Sequence, residues 1–255
     1  MMAIRLIRLA LASYVVASMT IGMNAARGVE LKVMASAGMK DAVTDLVPAF
    51  EQVSGHKVTI NWAGNENILN RIRGGETVDL VIMAKSNIEK LISEGKLVAT
   101  SRADIARSGV GVAVRAGLPK PDISSSAALI DAVLAAKSVA YSSGPSGHYV
   151  ADLFKKMGIA DRIKDKVTQT PSGVQVGDLL ARGDADLGFQ QVSELIHVKG
   201  IDYLGPLPPD IQVITVFSAA RHIAAQNPAA ADALVKFLTA PAAAPVIRKA
   251  GMEPG

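Results

Sequence analysis

Apolar residues along most of the chain follow two alternating spacings, and this pattern predicts an α/β fold. Short apolar runs such as Leu31–Ser36 and Val78–Ala84 have the length and composition of buried strands. The first run is followed by Asp41–Val53, where apolar residues recur every three or four positions, as on one face of a helix. Strands that alternate with helices form parallel sheets, because each helix returns the chain to the starting edge. We therefore predict sheets rich in parallel strands.

The alternation occurs in two series, which indicates two lobes. The second series runs from residue 138 to residue 204. The strand-like segments 109–115 and 211–217 lie at its two ends and are predicted to cross between the lobes as hinge strands. The predicted boundaries are 29–108 plus 218–255 for lobe 1 and 109–217 for lobe 2. A ligand is expected between the lobes, because open α/β sheets bind ligands at the carboxyl ends of their strands.

The N-terminus has the pattern of an export signal. Arg5 and Arg8 precede an apolar stretch from Leu9 to about Met23, and Ala26-Arg27-Gly28 resembles a small-residue cleavage site. The alternative, a membrane anchor, is disfavoured because the apolar stretch is short for a bilayer span. We predict a signal peptide over residues 1–28 and a periplasmic mature protein.

Charge and composition exclude several classes of function. Without the leader, three arginines and no acidic residue are lost, so the net charge falls from +4 to +1. The basic balance therefore gives no indication of nucleic-acid binding. The chain has no cysteine, and its four histidines are scattered without metal-ligand spacing. We expect no metal, no cofactor and a monomer.

Two strand-to-helix junctions carry the main candidate ligand contacts. One is the end of the first strand, and the other is the segment YSSGPSGHYV at 141–150. Hydroxyls and free backbone N–H groups at such junctions form anion sites, because the N-terminal end of a helix is electropositive. A pair of junctions on opposite lobes would hold an anion from two sides. The candidate residues are Ser36, Ala37, Gly38 and Met39 in lobe 1, and Ser143, Gly144, Ser146 and Gly147 in lobe 2.

Several charged and aromatic side chains lie near these junctions. Arg102 and Arg107 precede the first crossing strand, and a guanidinium there would favour a carboxylate ligand through two-point contacts. Alternatively, each is an ordinary solvated surface arginine. Tyr149 is a candidate hydroxyl donor, and His148 is a candidate proton acceptor or a surface residue. Trp62 either lines the cleft or fills the core.

Four segments together resemble one known family. They are LKVMASAGM, AFEQVSGHKVTINWAGNENILNRIRGGETVDLVIMA, SSGPSGHYVADLFKKMGI and GVQVGDLLARGDADLGFQQVSEL. In this order, and after a leader, they resemble the molybdate-binding-like periplasmic solute-binding proteins of ABC transporters. The resemblance implies a type II periplasmic binding protein fold, whose two hinged lobes close on an anion. The family also includes an aconitate isomerase, which interconverts cis and trans forms of a tricarboxylate.

The family pattern matches some positions and departs at others. Ser36 matches the serine at the end of the first strand, and the serine-glycine loop of lobe 2 also matches. Gly64 and Asn65 stand where a second hydroxyl is expected. Gln191, with Gln190 beside it, stands where molybdate binders often have a tyrosine. These departures favour an organic polycarboxylate over molybdate.

Two functions from different classes remain open. The first is a carrier that binds a small oxyanion or polycarboxylate and delivers it to an ABC permease. The second is an isomerase that interconverts cis- and trans-aconitate by an allylic proton shift. That reaction requires a base, for which His148, Lys40 and Glu194 are candidates, and a positive partner, for which Arg102 or Arg107 is the candidate.

Overall fold

The structure, a computed structural model, describes residues 28–255. The predicted leader, apart from Gly28, lies outside the described residues. The strands are β1 (Glu30–Ser36), β2 (Lys57–Ala63), β3 (Leu80–Ala84), β4 (Ala103–Arg115), β5 (Val139–Tyr141), β6 (Val167–Gln169), β7 (Leu187–Gln191), β8 (Ile201–Pro206), β9 (Ile214–Arg221) and β10 (Glu253–Pro254).

The helices alternate with these strands through both halves of the chain. They are α1 (Lys40–Ser54), α2 (Asn65–Arg73), α3 (Lys85–Ser93), α4 (Ser126–Ala135), α5 (Pro145–Lys156), α6 (Ala160–Ile163), α7 (Val176–Arg182), α8 (Val192–Leu195), α9 (Pro228–Leu238) and α10 (Ala244–Lys249). Among residues 28–255, no single helix is long and apolar enough to cross a bilayer; α9 and the segment Pro241–Lys249 reach that composition only together, across a 59° bend.

The strands pair in the order β2-β1-β3-β9-β4-β7-β5-β6, and β8 and β10 also pair with β4. The pairs of β1 with β2 and β3, and of β5 with β6 and β7, are parallel. These two parallel groups are joined through the antiparallel strands β4 and β9. The structure therefore confirms the predicted α/β class, with one parallel group in each lobe.

Strand β4 connects the lobes because it pairs with a different sheet along each half. Its first half, from Ala103 to Gly109, pairs with β9 in lobe 1. Its second half, from Val110, pairs with β7 and β8 in lobe 2. The chain returns to lobe 1 between β8 and β9, and β9 begins at Ile214 rather than 211 because a 3-10 turn, Pro209–Ile211, precedes it. The lobe boundaries given above stay a prediction.

Both faces of each parallel group are covered by helices. In lobe 1, Val33 and Leu80 pack on the side of α1, α9 and α10, whereas Met34 and Val81 pack on the side of α2 and α3. Lobe 2 repeats this arrangement with α4, α5 and α6 on one side and α7 and α8 on the other. Burial on both faces explains why these strands are continuous apolar runs. It also leaves the strand ends as the place where polar residues collect.

Candidate functional site

A small cavity lies where the strand ends of the two lobes face each other, and we call it the serine cavity. Its volume is about 40 Å³. This suffices for a group of a few heavy atoms, such as one carboxylate or a small oxyanion. Its lining residues come from both lobes and from β9: Ser36, Ala37, Gly64, Asn65, Gln190, Gln191, Glu194, Phe217 and the segments 142–146 and 171–175.

In the lobe 1 wall, a buried amide orients the serine at the end of β1. The Asn65 side chain donates to Ser36 Oγ at 3.1 Å, and its oxygen accepts from the backbone N–H of Ala84 at 2.9 Å. Asn65 therefore ties the ends of β1 and β3 together. Because Ser36 Oγ already accepts this hydrogen bond, its own O–H is free to donate to an anion.

The lobe 2 wall is the N-terminus of α5. Ser142 and Ser146 are buried, with their hydroxyl oxygens 3.1 Å apart. Gly144 is the N-cap and offers no side-chain oxygen to the first-turn N–H groups. Those groups remain available to a ligand, and the helix dipole adds positive potential. Gly147 brings this turn close to the preceding strand, since a Cβ there would lie 1.5 Å from the Ser142 carbonyl oxygen.

Glu194 is the ionisable residue that lines the serine cavity. It lies on α8, directly after β7, beside Gln175 and Gln190. Burial raises its pKa to about 7, and polar contacts from Gln175, Gln190 and the Gln191 backbone oppose this shift. The two glutamines are themselves fixed, because Gln190 donates to Gln175 at 2.6 Å and accepts from Val176 N at 2.8 Å. Glu194 can therefore hold or release a proton near neutral pH.

A second, larger space adjoins the serine cavity, and we call it the outer cavity. Its volume is about 380 Å³. It shares Ala37, Gly173, Gln175 and Glu194 with the serine cavity, so the two spaces are immediate neighbours. The remaining lining residues are Lys40, Asp41, Trp62, Ala63, Ser193, His197 and Val198.

The two lobes touch at three places near these cavities, one of which joins a ring nitrogen of His197 in lobe 2 to the Lys249 carbonyl in lobe 1 at 2.9 Å. The Ser193 hydroxyl in lobe 2 donates to the Gly38 carbonyl in lobe 1 at 2.9 Å. Gly64 in lobe 1 faces Ser172 and Gly173 so closely that a Cβ at Gly64 would lie 2.3 Å from Ser172 Oγ and 2.8 Å from Gly173 N. The closed arrangement therefore requires a residue without a side chain at position 64.

The structure brings most of the predicted contact residues together. Those that line the serine cavity are Ser36, Ala37, Gly64, Asn65, Ser143, Gly144, Ser146 and Gln191. Of the predicted bases, Glu194 lines both cavities and Lys40 lines the outer one. Trp62 lines the outer cavity and also packs against the lobe 1 core, so it has both of the positions considered for it, cleft wall and core.

The predicted arginines lie outside both cavities. Arg102 is paired with Asp104 through a 2.6 Å contact, and Arg107 is exposed on β4. His148 is likewise exposed on α5, away from the lining residues. The surface alternative considered for each of these three side chains therefore fits its position.

Four further predicted contacts lie behind the cavity walls. Met39 is buried in the lobe 1 core, and Gly38 contributes its carbonyl to the contact between the lobes. Gly147 packs against the backbone of Ser142, and the Tyr149 hydroxyl donates to the Ile211 carbonyl at 2.6 Å. These residues shape the walls instead of lining the space.

The sequence reasoning missed one whole side of the site, the segment 171–175. It follows β6 and reads Pro-Ser-Gly-Val-Gln before α7, so it is a third strand-to-helix junction with a hydroxyl and a glycine. The same signal that identified the other two junctions was therefore present here. Phe217 had no comparable signal, because an apolar residue in β9 is typical of core.

With this geometry established, comparison with known proteins identifies the family. The family model for bacterial extracellular solute-binding proteins matches residues 31–253, so the chain belongs to this family. An aconitate isomerase from a Pseudomonas species is 38% identical over 230 residues, which are 88% of this chain and 87% of that protein. A molybdate-binding protein of Azotobacter vinelandii is 27% identical over 241 residues, covering 89% and 91% of the two chains.

Solved structures confirm the type II binding-protein fold. The periplasmic molybdate-binding protein of Azotobacter vinelandii superposes with a TM-score of 0.75 at 22% identity, covering 87% of this chain and 98% of that one. The sulfate-binding protein of Mycobacterium tuberculosis gives a TM-score of 0.71 at 19% identity, covering 89% and 87%. At these identities the likeness establishes the fold alone.

The contact at Gly64 yields a prediction about closure. Replacing Gly64 with alanine places a methyl group against the 172–173 backbone, so we expect the lobes to stop short of full contact. Because only the closed population binds well, the apparent Kd should rise by about tenfold or more, with little change in thermal stability. Small-angle scattering and calorimetric titration measure the two effects.

The control for this experiment is Gly74→Ala, at the end of α2, where a Cβ has no neighbour nearer than 3.2 Å. We expect this variant to bind as the wild type does. Equal affinity for Gly64→Ala and the wild type would show that contact at this glycine is not needed for binding.

The raised pKa of Glu194 yields a prediction about stability and pH. A carboxyl that ionises at about 7 when folded, and at its ordinary value of 4.5 when unfolded, disfavours the folded state once it is charged. Its stabilising contribution is complete below pH 4.5 and is lost as the pH rises through 7. The loss is about 2–3 kcal/mol, so Glu194→Gln should gain thermal stability relative to the wild type between pH 5 and pH 8.

Thermal melts of Glu194→Gln and the wild type at pH 5 and at pH 8 measure this difference in stability. The control is Glu89→Gln, an exposed carboxyl on α3, which should follow the wild-type curve. Parallel curves for Glu194→Gln and the wild type would contradict the assignment of a half-buried, proton-holding carboxyl at position 194.

Proposed function

We propose that this protein binds a small anion in the closed space between its lobes, and that the ligand is an organic polycarboxylate. The observation that carries the proposal is the lining of the serine cavity. Serine residues from both lobes and the N-terminal turn of α5 line it, and none of its described lining residues is Lys or Arg. Neutral donors of this kind stabilise a buried anion without an ion pair.

Two observations favour a polycarboxylate over an inorganic oxyanion. The relative at 38% identity is an aconitate isomerase, whereas the molybdate-binding relatives are 24–27% identical. In addition, Glu194 lines the cavity, and a carboxyl that is still partly protonated at neutral pH can donate a hydrogen bond to a ligand carboxylate.

As a carrier, the protein would act in the periplasm of the cell. Residues 1–28 would direct export, the mature monomer would close around the ligand by bending at β4 and at the 207–213 connection, and the closed form would present the ligand to an ABC permease. The support is the family, which comprises extracellular solute-binding proteins, together with the charge and apolar pattern of the leader.

A panel of ligands tests the binding proposal. Purified mature protein should show raised thermal stability and measurable calorimetric binding with cis-aconitate, trans-aconitate, citrate or tricarballylate, and weaker binding of molybdate and sulfate. Ser36→Ala should weaken binding by about 10- to 100-fold, the usual effect of losing one hydrogen bond to a charged group. Ser93→Ala, which removes a hydroxyl bonded within α3, should leave binding unchanged. If none of these anions binds, the proposal is wrong.

A second function is favoured by Glu194, which lines both cavities and ionises near neutral pH. If the ligand is aconitate, the Glu194 carboxylate would take a proton from the methylene carbon of the ligand. The electron pair of that C–H bond would then move through the double bond toward the neighbouring carboxylate of the ligand. Return of that proton to the former vinyl carbon shifts the double bond and allows the other geometry. A base with a pKa near the working pH suits both transfers.

Incubation with trans-aconitate tests this function. We expect the cis form to appear, and deuterium to enter the methylene position in heavy water. Glu194→Gln should lower the rate by about 10²- to 10⁴-fold, as expected for loss of a general base, while retaining ligand binding. Binding without conversion, even at high protein concentration, would leave the carrier as the function.

A further inference from the structure

The outer cavity is too large to be explained by the group that occupies the serine cavity. The two spaces measure about 380 Å³ and about 40 Å³ and share four lining residues. A compact oxyanion would occupy the inner space alone. An elongated ligand, in contrast, can place one end in the serine cavity and extend past Glu194 into the outer cavity.

The outer cavity also differs from the serine cavity because a lysine is among its lining residues. Lys40, the first residue of α1, lines it and forms no ion pair with any residue between 28 and 255. The other ionisable groups that face this space are Asp41 on α1, and Glu194 and His197 from lobe 2. One ring nitrogen of His197 is already engaged with the Lys249 carbonyl at 2.9 Å. Lys40 is therefore the unpaired cation beside a cavity that continues from an anion site.

We propose that the outer cavity is a second anion subsite, in which Lys40 pairs with a distal carboxylate of a ligand whose first carboxylate occupies the serine cavity. This inference rests on the proposed binding function and specifies its ligand. The ligand carries at least two carboxylates on a flexible or planar carbon skeleton. Trp62 and the methylenes of Lys40 supply the apolar surface against which that skeleton packs.

Glu194 occupies the junction between the two subsites. A ligand that spans both must pass this carboxyl, which places the carbon atoms between its two carboxylates next to a group able to exchange a proton. A ligand confined to the serine cavity would leave those atoms out of reach. The second subsite therefore positions the ligand skeleton, while the serine cavity selects its charge.

Calorimetric titration with tricarballylate and with sulfate tests this subsite. Tricarballylate has three carboxylates and no double bond, so binding is measured without turnover. Lys40→Met should raise the Kd for tricarballylate by about tenfold, as for loss of one charge-assisted contact, and should change the Kd for sulfate by less than about twofold. Tricarballylate should change the fluorescence of Trp62, the one tryptophan of the chain, more than sulfate does.

The matched control is Lys236→Met, which removes the same charge from an exposed position on α9, outside both cavities. Equal losses for the two variants, or equal losses for tricarballylate and sulfate in Lys40→Met, would overturn the subsite in favour of a general charge effect. If neither ligand binds to the wild type, the binding proposal itself fails. If both bind and Lys40→Met is silent, the subsite alone fails.

Discussion

The geometry of the cleft depends on β4, because this strand belongs to the sheets of both lobes. Its first half pairs with β9 and its second half with β7 and β8, so the strand ends of the two parallel groups are held facing one another. Because ladder hydrogen bonds have a set direction, the pairing of β4 determines which edges of the two parallel groups face each other. The polar residues that collect at the strand ends then meet across a narrow space.

In the proposed site, hydrogen bonding to the anion and supply of positive charge are separate tasks of different residues, although a single arginine often performs both. In the proposed binding mode, hydroxyls and backbone N–H groups stabilise the anion inside the serine cavity by hydrogen bonding, where a buried cation without a partner would be costly. Positive charge is kept outside, on Lys40, where the cavity is wider and water is accessible. Glu194 lies between these regions, and the loss of hydration around it keeps its carboxyl protonated at pH values where an exposed glutamate is charged. In the proposed binding mode, selection by shape, by charge and by proton exchange therefore falls to different residues.

The fold and half of the site could be predicted from the sequence because local patterns carry them. Serine and glycine at a strand end followed by a helix have few structural alternatives, and Ser36, Ser143 and Ser146 were found in this way. Arg102 was predicted to contact the ligand, but it pairs with Asp104, and this pairing depends on where β4 begins. The crossing strand was predicted from residue 109, but it begins at Ala103, so Arg102 and Asp104 lie on one side of extended chain and form a pair.

Other features depend on contacts between distant segments, which no local pattern contains. The approach of Gly64 to the 172–173 backbone joins two lobes, and the raised pKa of Glu194 follows from its burial in the folded protein beside Gln175 and Gln190. The spacing of apolar residues does not predict helix α4, for a different reason. Its sequence, SAALIDAVLA, is apolar on almost every side, so it lacks the periodicity that marks an amphipathic helix.

The contacts between the lobes are slight, and this has a kinetic consequence. The hydrogen bonds from Ser193 to the Gly38 carbonyl and between His197 and the Lys249 carbonyl, and the close approach at Gly64, include no ion pair, so by themselves they favour the closed form only weakly. The bound ligand must supply the remaining free energy of closure through its own contacts with both lobes. The residence time of the ligand then depends on how well it fits. A ligand with few contacts dissociates quickly, whereas one with good contacts to both lobes stays bound until the lobes open.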